Sequence, residues 1–314
     1  MTPQAGSYLK VAYDLRPAKQ IERRMLIDVF QILAANGFPI RDYAYTGMGS
    51  IYFFDFILFR KLLGIRRMLS VESDTRIRKR VKFNRPFADV EVAMKRIGDV
   101  IPTLDRDLKH ILWLDYDCHL DRTAVTDSAD AAARLSPGSL LLVTVDIEPP
   151  VDRAGPAKWR EFYEQEAGHF FGFGWGDAEF AQTALAGTNA RILFNAIDSG
   201  VNPRPSVRFM PLFNFAYADS HRMLTIGGMV TTGVDERKLG ACDFSRSPFL
   251  RTDREAAPYE INAPKFTRRE RHVLDHNMPC EAGWAPKEFE ITPQDLEAYR
   301  DVYRYYPAYA ELLV

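Results

Sequence analysis

The sequence predicts an α/β fold with one mostly parallel sheet, helices on both faces, and an antiparallel hairpin at the end of the sheet. Short apolar runs alternate with amphipathic segments between residues 43 and 146, which is typical of βαβ units. These runs are apolar throughout, as expected for strands that helices cover on both sides. Further along the chain, two long apolar runs flank Asp219 and Ser220, which indicates an antiparallel hairpin.

An amphipathic helix is predicted before the first strand. Apolar residues recur at helical spacing from Ile21 to Leu33, and Gly37 and Pro39 supply a stop. The predicted elements are a first helix at 18–36; parallel strands at 43–46, 68–72, 90–94, 111–115 and 140–146; crossover helices at 52–63, 76–83, 100–108 and 124–135; a further helix at 177–196; and hairpin strands at 212–218 and 222–230.

The chain is predicted to have three parts. Residues 1–40 form an N-terminal helical segment, residues 41–235 the α/β domain, and residues 236–314 a mainly helical extension packed on that domain. In the extension, two threonines begin the spacing of a capping box and so predict helix starts. The boxes are Thr267 with Glu270 and Thr292 with Asp295. A cluster of tyrosines near the C-terminus is predicted to dock on the main domain: Tyr303, Tyr305, Tyr306 and Tyr309.

Composition excludes several classes of protein. The 314 residues are 46% hydrophobic and 26% charged, and the net charge of -1 creates no global field for nucleic acid. No run approaches the length of apolar sequence that a membrane span needs, and the N terminus lacks a secretory signal. Three widely spaced cysteines favour reduced thiols in a cytoplasm over a disulfide framework or a zinc site.

Four signals fall where the predicted strands end. Gly47 and Gly49 follow the first strand, where glycines let the backbone turn tightly and approach a ligand. Glu72 lies 23 residues after Gly49, the spacing at which nucleotide-binding sheets place a carboxylate on ribose hydroxyls. Asp99 follows the third strand, where it can accept from an adenine amino group or cap the next helix. Asp115 ends the fourth strand.

This series resembles motifs I to IV of the class I methyltransferases that use S-adenosylmethionine, over about residues 42–230. The resemblance implies a Rossmann-like sheet and S-adenosylmethionine as the cofactor. It implies that Gly47 and Gly49 pass under the methionine part of the cofactor, that Glu72 binds the ribose, and that Asp99 meets the adenine.

Tyr45 and Asp115 are assigned to the same cofactor site. The segment from Tyr45 to Phe53, together with Asp115 and Asp117, is also similar to bacterial O-methyltransferases of unknown substrate.

The glycine segment differs from the family pattern, which begins with an acid and continues to a third glycine. Tyr45 and Ile51 lie near those positions here, and Asp42 or Asp55 is the candidate for the missing acid. The fourth strand also lacks the proline signature of enzymes that methylate base amino groups. No Pro-Cys nucleophile for cytosine-C5 chemistry follows it.

Asp117 and His119 are the predicted catalytic residues. They follow the fourth strand beside the expected methyl position, where a hydroxyl acceptor needs a group to take its proton. Asp146 and Glu148, after the fifth strand, are further candidates for the acceptor pocket.

Three other histidines have competing interpretations. His169 lies in a glycine-rich aromatic stretch that indicates a lid or a pocket wall, with a packed core histidine as the alternative. His272 and His276 have helical i,i+4 spacing but no evident third ligand, so no metal site is predicted.

The sequence therefore predicts a cytoplasmic, bacterial S-adenosylmethionine-dependent methyltransferase that acts at oxygen or on an RNA or nucleotide group. One alternative is an NAD-dependent oxidoreductase, against which the hairpin and the missing third glycine count. The other is a catalytically degenerate scaffold with a protein partner in a larger assembly. The basic stretch Arg76–Arg85 predicts a surface for nucleic acid, with a solvated helix face as its alternative.

Overall fold

A computed structural model describes residues 16–49, 51–150, 155–281 and 283–308. Within these residues one sheet contains eight strands in the order β3-β2-β1-β4-β5-β7-β6-β8. All neighbours pair in parallel except β7, which is antiparallel to both β5 and β6. The strands are β1 (Ala44–Met48), β2 (Arg67–Val71), β3 (Val90–Ala93), β4 (His110–His119), β5 (Leu140–Asp146), β6 (Arg208–Ala218), β7 (Arg222–Thr231) and β8 (Tyr259–Ile261).

This sheet confirms the predicted fold class and its antiparallel hairpin, β6–β7. The hairpin does not end the sheet, because the unpredicted strand β8 pairs with β6 and forms the edge. The α-helices of the described residues are α1 (Pro17–Ala35), α2 (Phe54–Leu63), α3 (Arg78–Phe83), α4 (Ile97–Val100), α5 (Arg122–Arg134), α6 (Pro156–Ala167), α7 (Leu185–Val201), α8 (Gly233–Gly240), α9 (Arg268–Asn277) and α10 (Pro293–Val302).

Two of the predicted helices are wrong in extent. The helix expected at 100–108 is the single turn α4, which passes into a 3-10 turn at Ile101–Thr103 and ends at Leu104. Pro102 in that turn has no N–H to continue the helix. The helix expected at 177–196 is a short 3-10 turn, Asp177–Phe180, followed by α7.

Helices cover both faces of the sheet. In β4, Leu112 and Leu114 face one core with residues of α5 and α7, whereas Ile111 and Trp113 face the other core with α1 and α2. The alternation along β4 therefore places apolar residues on both faces, which explains the continuous apolar run in the sequence.

Helix α1 is fixed at the hairpin between β6 and β7. The carboxylate of Asp219 accepts from the backbone N–H groups of Ala18 (3.0 Å) and Lys19 (3.1 Å), and Arg16 lies 3.7 Å from it. A carboxylate at a helix N-terminus satisfies free N–H groups and opposes the helix dipole. The first turns of α1 are consequently held against the end of the sheet.

The C-terminal part joins the same sheet through β8, which pairs with β6. Both predicted capping boxes begin helices, since Thr267 caps α9 and Thr292 caps α10. The hydroxyl of Tyr305 donates to Asp28 of α1 (2.7 Å), so this tyrosine is held against the first helix. Tyr309 lies outside the described residues. The division of the chain at residues 40 and 235 stays a prediction.

Within the described ranges, no helix is both long enough and apolar enough to cross a membrane.

Candidate active site

The strand order reverses between β1 and β4, because β2 and β3 lie on one side of this pair and β5 on the other. In open α/β sheets, ligands bind at the carboxyl ends of the strands at such a switch point. Gly47 and Gly49 lie at the end of β1, Glu72 follows β2, and Asp115 lies in β4 beyond Trp113, the last residue of β4 that pairs with β1. The fourth strand was predicted to end at Asp115 but extends to His119, so Asp117 and His119 belong to the strand. Topology therefore gathers them at one edge of the sheet.

The two glycines are surrounded by the protein itself. A Cβ at Gly47 would collide with the hydroxyl of Tyr45 and would lie 3.2 Å from Asp55 Oδ2. A Cβ at Gly49 would lie 2.9 Å from Glu72 Cβ and from the carbonyl oxygen of Val71. Internal packing is thus one reason for both glycines, beside their predicted role under a cofactor.

Asp55, and not Asp42, lies beside the glycine segment. The fully buried hydroxyl of Tyr45 donates to Asp55, which is in the first turn of α2. Burial raises the pKa of Asp55, and it raises the pKa of Tyr45 well above its usual value, so Tyr45 stays a donor. Asp42 belongs to a 3-10 turn that precedes β1, at the opposite edge.

We expect Gly47→Ala to lower the free energy of unfolding by about 1–3 kcal/mol, as overpacking of a close-packed site does. The added methyl group meets the ring of Tyr45, whose Cζ would lie 2.8 Å away. Gly187→Ala is the matched control, since nothing lies within 4 Å of its Cβ position in α7, and it should stabilise the protein slightly. Equal denaturation midpoints for Gly47→Ala and wild type would contradict the packing role.

Glu72 is half-buried directly after β2. Its backbone N–H donates to the carbonyl of Ala93 (2.9 Å), and its carboxylate accepts from the N–H of Asp74 (2.8 Å). Burial raises the pKa of Glu72, and the charges of Asp74 and Asp117 raise it further. The charge of Asp117 therefore acts on Glu72, and the region between Glu72 and Asp117 is called the mouth of the site below.

Asp115 is part of a buried ion cluster that sequence reasoning missed. Lys19 of α1 is 1% exposed, and its ammonium lies 2.8 Å from Asp115 Oδ1 and 2.9 Å from Glu22 Oε2. It also donates to the hydroxyl of Tyr217 (3.0 Å) and lies 4.4 Å from the centre of the Trp113 ring. The cluster joins the N-terminal helix to the carboxyl edge of β4.

These charges fix the protonation of the cluster. Burial would raise the pKa of Asp115, but Lys19 and then Arg23 outweigh it and lower that pKa. Burial would likewise lower the pKa of Lys19, but Asp115 and Glu22 raise it above its usual range. The Asp115 side chain is 33% exposed, so an ionised carboxylate is presented toward the switch point.

Arg23 lies one helical turn beyond Lys19 and is 6% exposed. Its Nε and Nη1 atoms are buried and have no hydrogen-bond partner in the described chain. Its guanidinium lies 5.8 Å from the centre of the Phe54 ring, at the start of α2, and its charge acts to lower the pKa of both Asp55 and Asp115. An unpaired buried guanidinium has unused capacity for an anionic group.

His119 lies farther along the edge, toward β5. A register shift in β4 between Asp115 and His119 brings His119 opposite Asp146, the last residue of β5. Its Nδ1 atom is 3.8 Å from Asp146, and Nδ1 of His221 approaches the other oxygen of that carboxylate at 3.6 Å. Asp146 therefore lies between two imidazoles.

Helix α6, which precedes the aromatic segment around His169, lies beside His119. The ring of Phe162, on α6, meets His119 edge-to-face with centroids 6.5 Å apart. His169 is exposed, so the alternative of a packed core histidine is wrong. Phe171 stacks on Phe180, whereas Phe173 is fully exposed.

Glu148 and Asp99 differ in their surroundings. The Glu148 carboxylate accepts from the backbone N–H of Arg222 (3.0 Å), so it fixes the start of β7. Asp99 is an exposed residue within α4, and the N-cap position belongs to Arg96. The capping alternative for Asp99 is therefore wrong, and its carboxylate faces solvent.

Among the described residues, no group of three or more His, Cys, Asp or Glu is arranged to hold a metal ion.

The strand order, with β7 inserted antiparallel between β5 and β6, is that of the class I methyltransferase sheet. The model of a family described as "Putative O-methyltransferase" matches residues 11–314, and the chain belongs to that family. Sheet and family together decide against the NAD-dependent oxidoreductase alternative. No curated protein matches the sequence.

Among solved structures, the chain is similar to Trm1 from Pyrococcus horikoshii, solved with S-adenosyl-L-methionine, at 12% identity and a TM-score of 0.41, covering 72% of this chain and 58% of that one. It is similar to the O-methyltransferase from Bacillus cereus in complex with SAH at 11% identity and a TM-score of 0.38, covering 73% and 93%. It is similar to the Methanococcus jannaschii fibrillarin pre-rRNA processing protein at 9% identity and a TM-score of 0.34, covering 62% of this chain and 69% of that one.

Proposed function

We propose that this S-adenosylmethionine-dependent methyltransferase is cytoplasmic and bacterial, and that it methylates an oxygen or a group of an RNA or nucleotide. The observation that carries the proposal is the ionised Asp115 carboxylate at the switch point, held by Lys19 in a chain of the O-methyltransferase family. The free cysteines of the described residues support a reducing compartment.

The residues at the edge of the sheet fit the cofactor. Asp115 would receive the ammonium of its methionine part, and the unpaired guanidinium of Arg23 would receive the carboxylate. Glu72 would accept from the ribose hydroxyls and Asp99 from the adenine amino group, beside Tyr45, Gly47 and Gly49. When bound, the cofactor supplies an electrophilic methyl group.

The acceptor would approach from the side of β5. A hydroxyl becomes a better nucleophile when a positioned base takes its proton. His119 would act as this base, since its other ring nitrogen is free for the acceptor while Nδ1 faces Asp146. Asp117, at the mouth beside Glu72, would orient the acceptor.

We expect Glu72→Ala to weaken binding of S-adenosylhomocysteine by roughly 1–3 kcal/mol, because the ribose hydroxyls lose a charged acceptor. Isothermal titration calorimetry measures this directly and needs no acceptor. Glu91→Ala is the control, since Glu91 is an exposed glutamate of β3 and should leave the affinity unchanged.

If wild type binds S-adenosylhomocysteine and Glu72→Ala binds it equally well, Glu72 is not part of the cofactor site. Failure of the wild-type protein to bind would overturn the proposed function and favour the degenerate scaffold with a protein partner.

The affinity for S-adenosylhomocysteine should also depend on pH through Glu72. Its pKa is raised, so the binding carboxylate is lost as the pH falls through a value above the usual glutamate range. Removing the negative charge of Asp117 lowers that pKa, and the midpoint of affinity loss should move to lower pH in Asp117→Asn. Asp107→Asn, an exposed aspartate at the opposite edge, should leave the midpoint in place. Identical midpoints in wild type and Asp117→Asn would contradict the coupling.

A further inference from the structure

Five exposed cations lie on the outer edge of the sheet without an acidic partner in the described chain. They follow β2 and β3, the two strands that end the sheet on this side. The five are Arg78, Lys79 and Lys82 of α3, and Lys95 and Arg96 after β3.

Two acids of this region are paired with other arginines, and two more, Glu91 and Asp99, are exposed, so the five cations outnumber the exposed acids. Asp74 is held by Arg76 at 2.8 Å, and Asp89 is held by Arg60. The local excess of positive charge in the sequence therefore persists on the surface of the folded protein. Uncompensated cations side by side repel each other, and a polyanion relieves that repulsion.

Phe83, the last residue of α3, is 88% exposed beside these cations. A phenylalanine in water contributes nothing to the core, whereas an exposed ring among cations suits the stacking of an unpaired base. Unpaired bases are the usual targets of recognition in RNA, where loops present them to aromatic side chains. Charge and ring together favour a single-stranded nucleic acid over an acidic protein surface.

This edge adjoins the candidate cofactor site. Helix α3 begins six residues after Glu72, and Lys95 and Arg96 immediately precede α4, which carries Asp99. We propose that this basic edge, formed by Arg78, Lys79, Lys82, Phe83, Lys95 and Arg96, binds single-stranded RNA and guides it to the mouth of the site. The acceptor role of that RNA rests on the proposed methyltransferase function, whereas its binding does not.

The test is fluorescence anisotropy with a labelled, unstructured RNA oligonucleotide over a range of salt concentrations. The variant Arg78→Gln/Lys79→Gln/Lys82→Gln should bind at least about tenfold more weakly at low salt. Its plot of log affinity against log salt should be shallower by about 2, since each phosphate contact on a single strand contributes about 0.7.

Two further variants separate local from general effects. Lys265→Gln/Arg268→Gln/Arg269→Gln removes the same charge from exposed cations at α9 and should bind RNA as wild type does. Phe83→Ala should weaken binding about 5- to 150-fold, the range for loss of one stacked base, without changing the salt slope.

Equal losses in the two triple variants would overturn the proposal, as would unchanged binding in Phe83→Ala. Tighter binding to single-stranded DNA of the same sequence, or to anionic phosphatidylserine vesicles, would also overturn the assignment to RNA. Calorimetry with S-adenosylhomocysteine on the α3 variant separates the two proposals, because cofactor affinity should remain at the wild-type value.

Discussion

Lys19→Met should lower the free energy of unfolding by about 3–5 kcal/mol, because it removes the ammonium 2.9 Å from the fully buried carboxylate of Glu22. The variant leaves Asp115 and the fully buried Glu22 facing each other without the ammonium between them. Methionine keeps the length and apolar contacts of the lysine stem, so the loss reports charge rather than packing. Urea denaturation at neutral pH measures it.

Lys158→Met is the control for this experiment. Its ammonium lies 2.7 Å from Glu161, but both side chains are more than half exposed, and such pairs contribute little. Lys19→Met/Glu22→Gln should recover part of the lost stability, since one of the two uncompensated carboxylates is then neutral. Similar losses for Lys19→Met and Lys158→Met would contradict a buried cluster.

The pH dependence of this loss has a definite sign. The pKa of Asp115 is lowered in the folded protein, so its stabilising contribution is present above the usual aspartate pKa and is lost as the pH falls through the lowered value. In Lys19→Met this contribution is absent, and the buried carboxylates take up protons more readily. The difference in stability between wild type and Lys19→Met should therefore shrink on acidification.

The sequence could not reveal this cluster for a physical reason. Helical periodicity identifies the apolar face of α1 through Ile21, Met25 and Val29, and it assigns charged residues to solvent. Lys19 and Glu22 are buried because the hairpin and β4 close over the first turns of the helix. That closure is a tertiary contact across 96 residues to Asp115, which no local pattern encodes.

The strands were predictable because apolar runs and turn residues are local signals. The end of α4 was harder to predict, because a proline such as Pro102 can begin a helix as readily as it ends one. In the structure, Pro102 lies in the 3-10 turn that follows α4. The choice between Asp42 and Asp55 likewise needed the structure. Both acids lie near the glycine segment in sequence, but only Asp55 is carried back to Tyr45 by the turn into α2.

The placement of Gly47, Gly49 and Glu72 at one edge of the sheet was predictable from sequence, whereas the surroundings of His119 were not. The spacing of Gly49 and Glu72 reflects a strand, a helix and a second strand, which is a repeated length in such sheets. The meeting of His119, Asp146 and His221 depends instead on a register shift in β4 and on the hairpin that brings β7 beside β5. The hairpin itself was predicted from its turn residues, but neither the register shift nor the pairing of β7 with β5 has a local sequence signature.

His119→Asn should reduce methyl transfer by about 10²–10⁴-fold, the usual contribution of a general base, and should leave the affinity for S-adenosylhomocysteine unchanged. Asparagine keeps a polar side chain at the end of β4 but cannot accept and hold a proton. The rate is measured as tritium transferred from labelled S-adenosylmethionine to RNA and to small molecules extracted from cells that lack the protein, because these pools contain the unmodified acceptor.

His221→Asn is the matched control, since His221 contacts the same Asp146 carboxylate at 3.6 Å but its side chain is 63% exposed at the start of β7. We expect its effect to be much smaller, because His119 shares β4 with Asp115 and Asp117 and so lies nearer the predicted methyl position. Full activity in His119→Asn, or a larger loss of activity in His221→Asn than in His119→Asn, would show that His119 is not the general base. A loss of cofactor affinity in His119→Asn would instead place this histidine in the cofactor site, and the acceptor would then have to be deprotonated by Asp117.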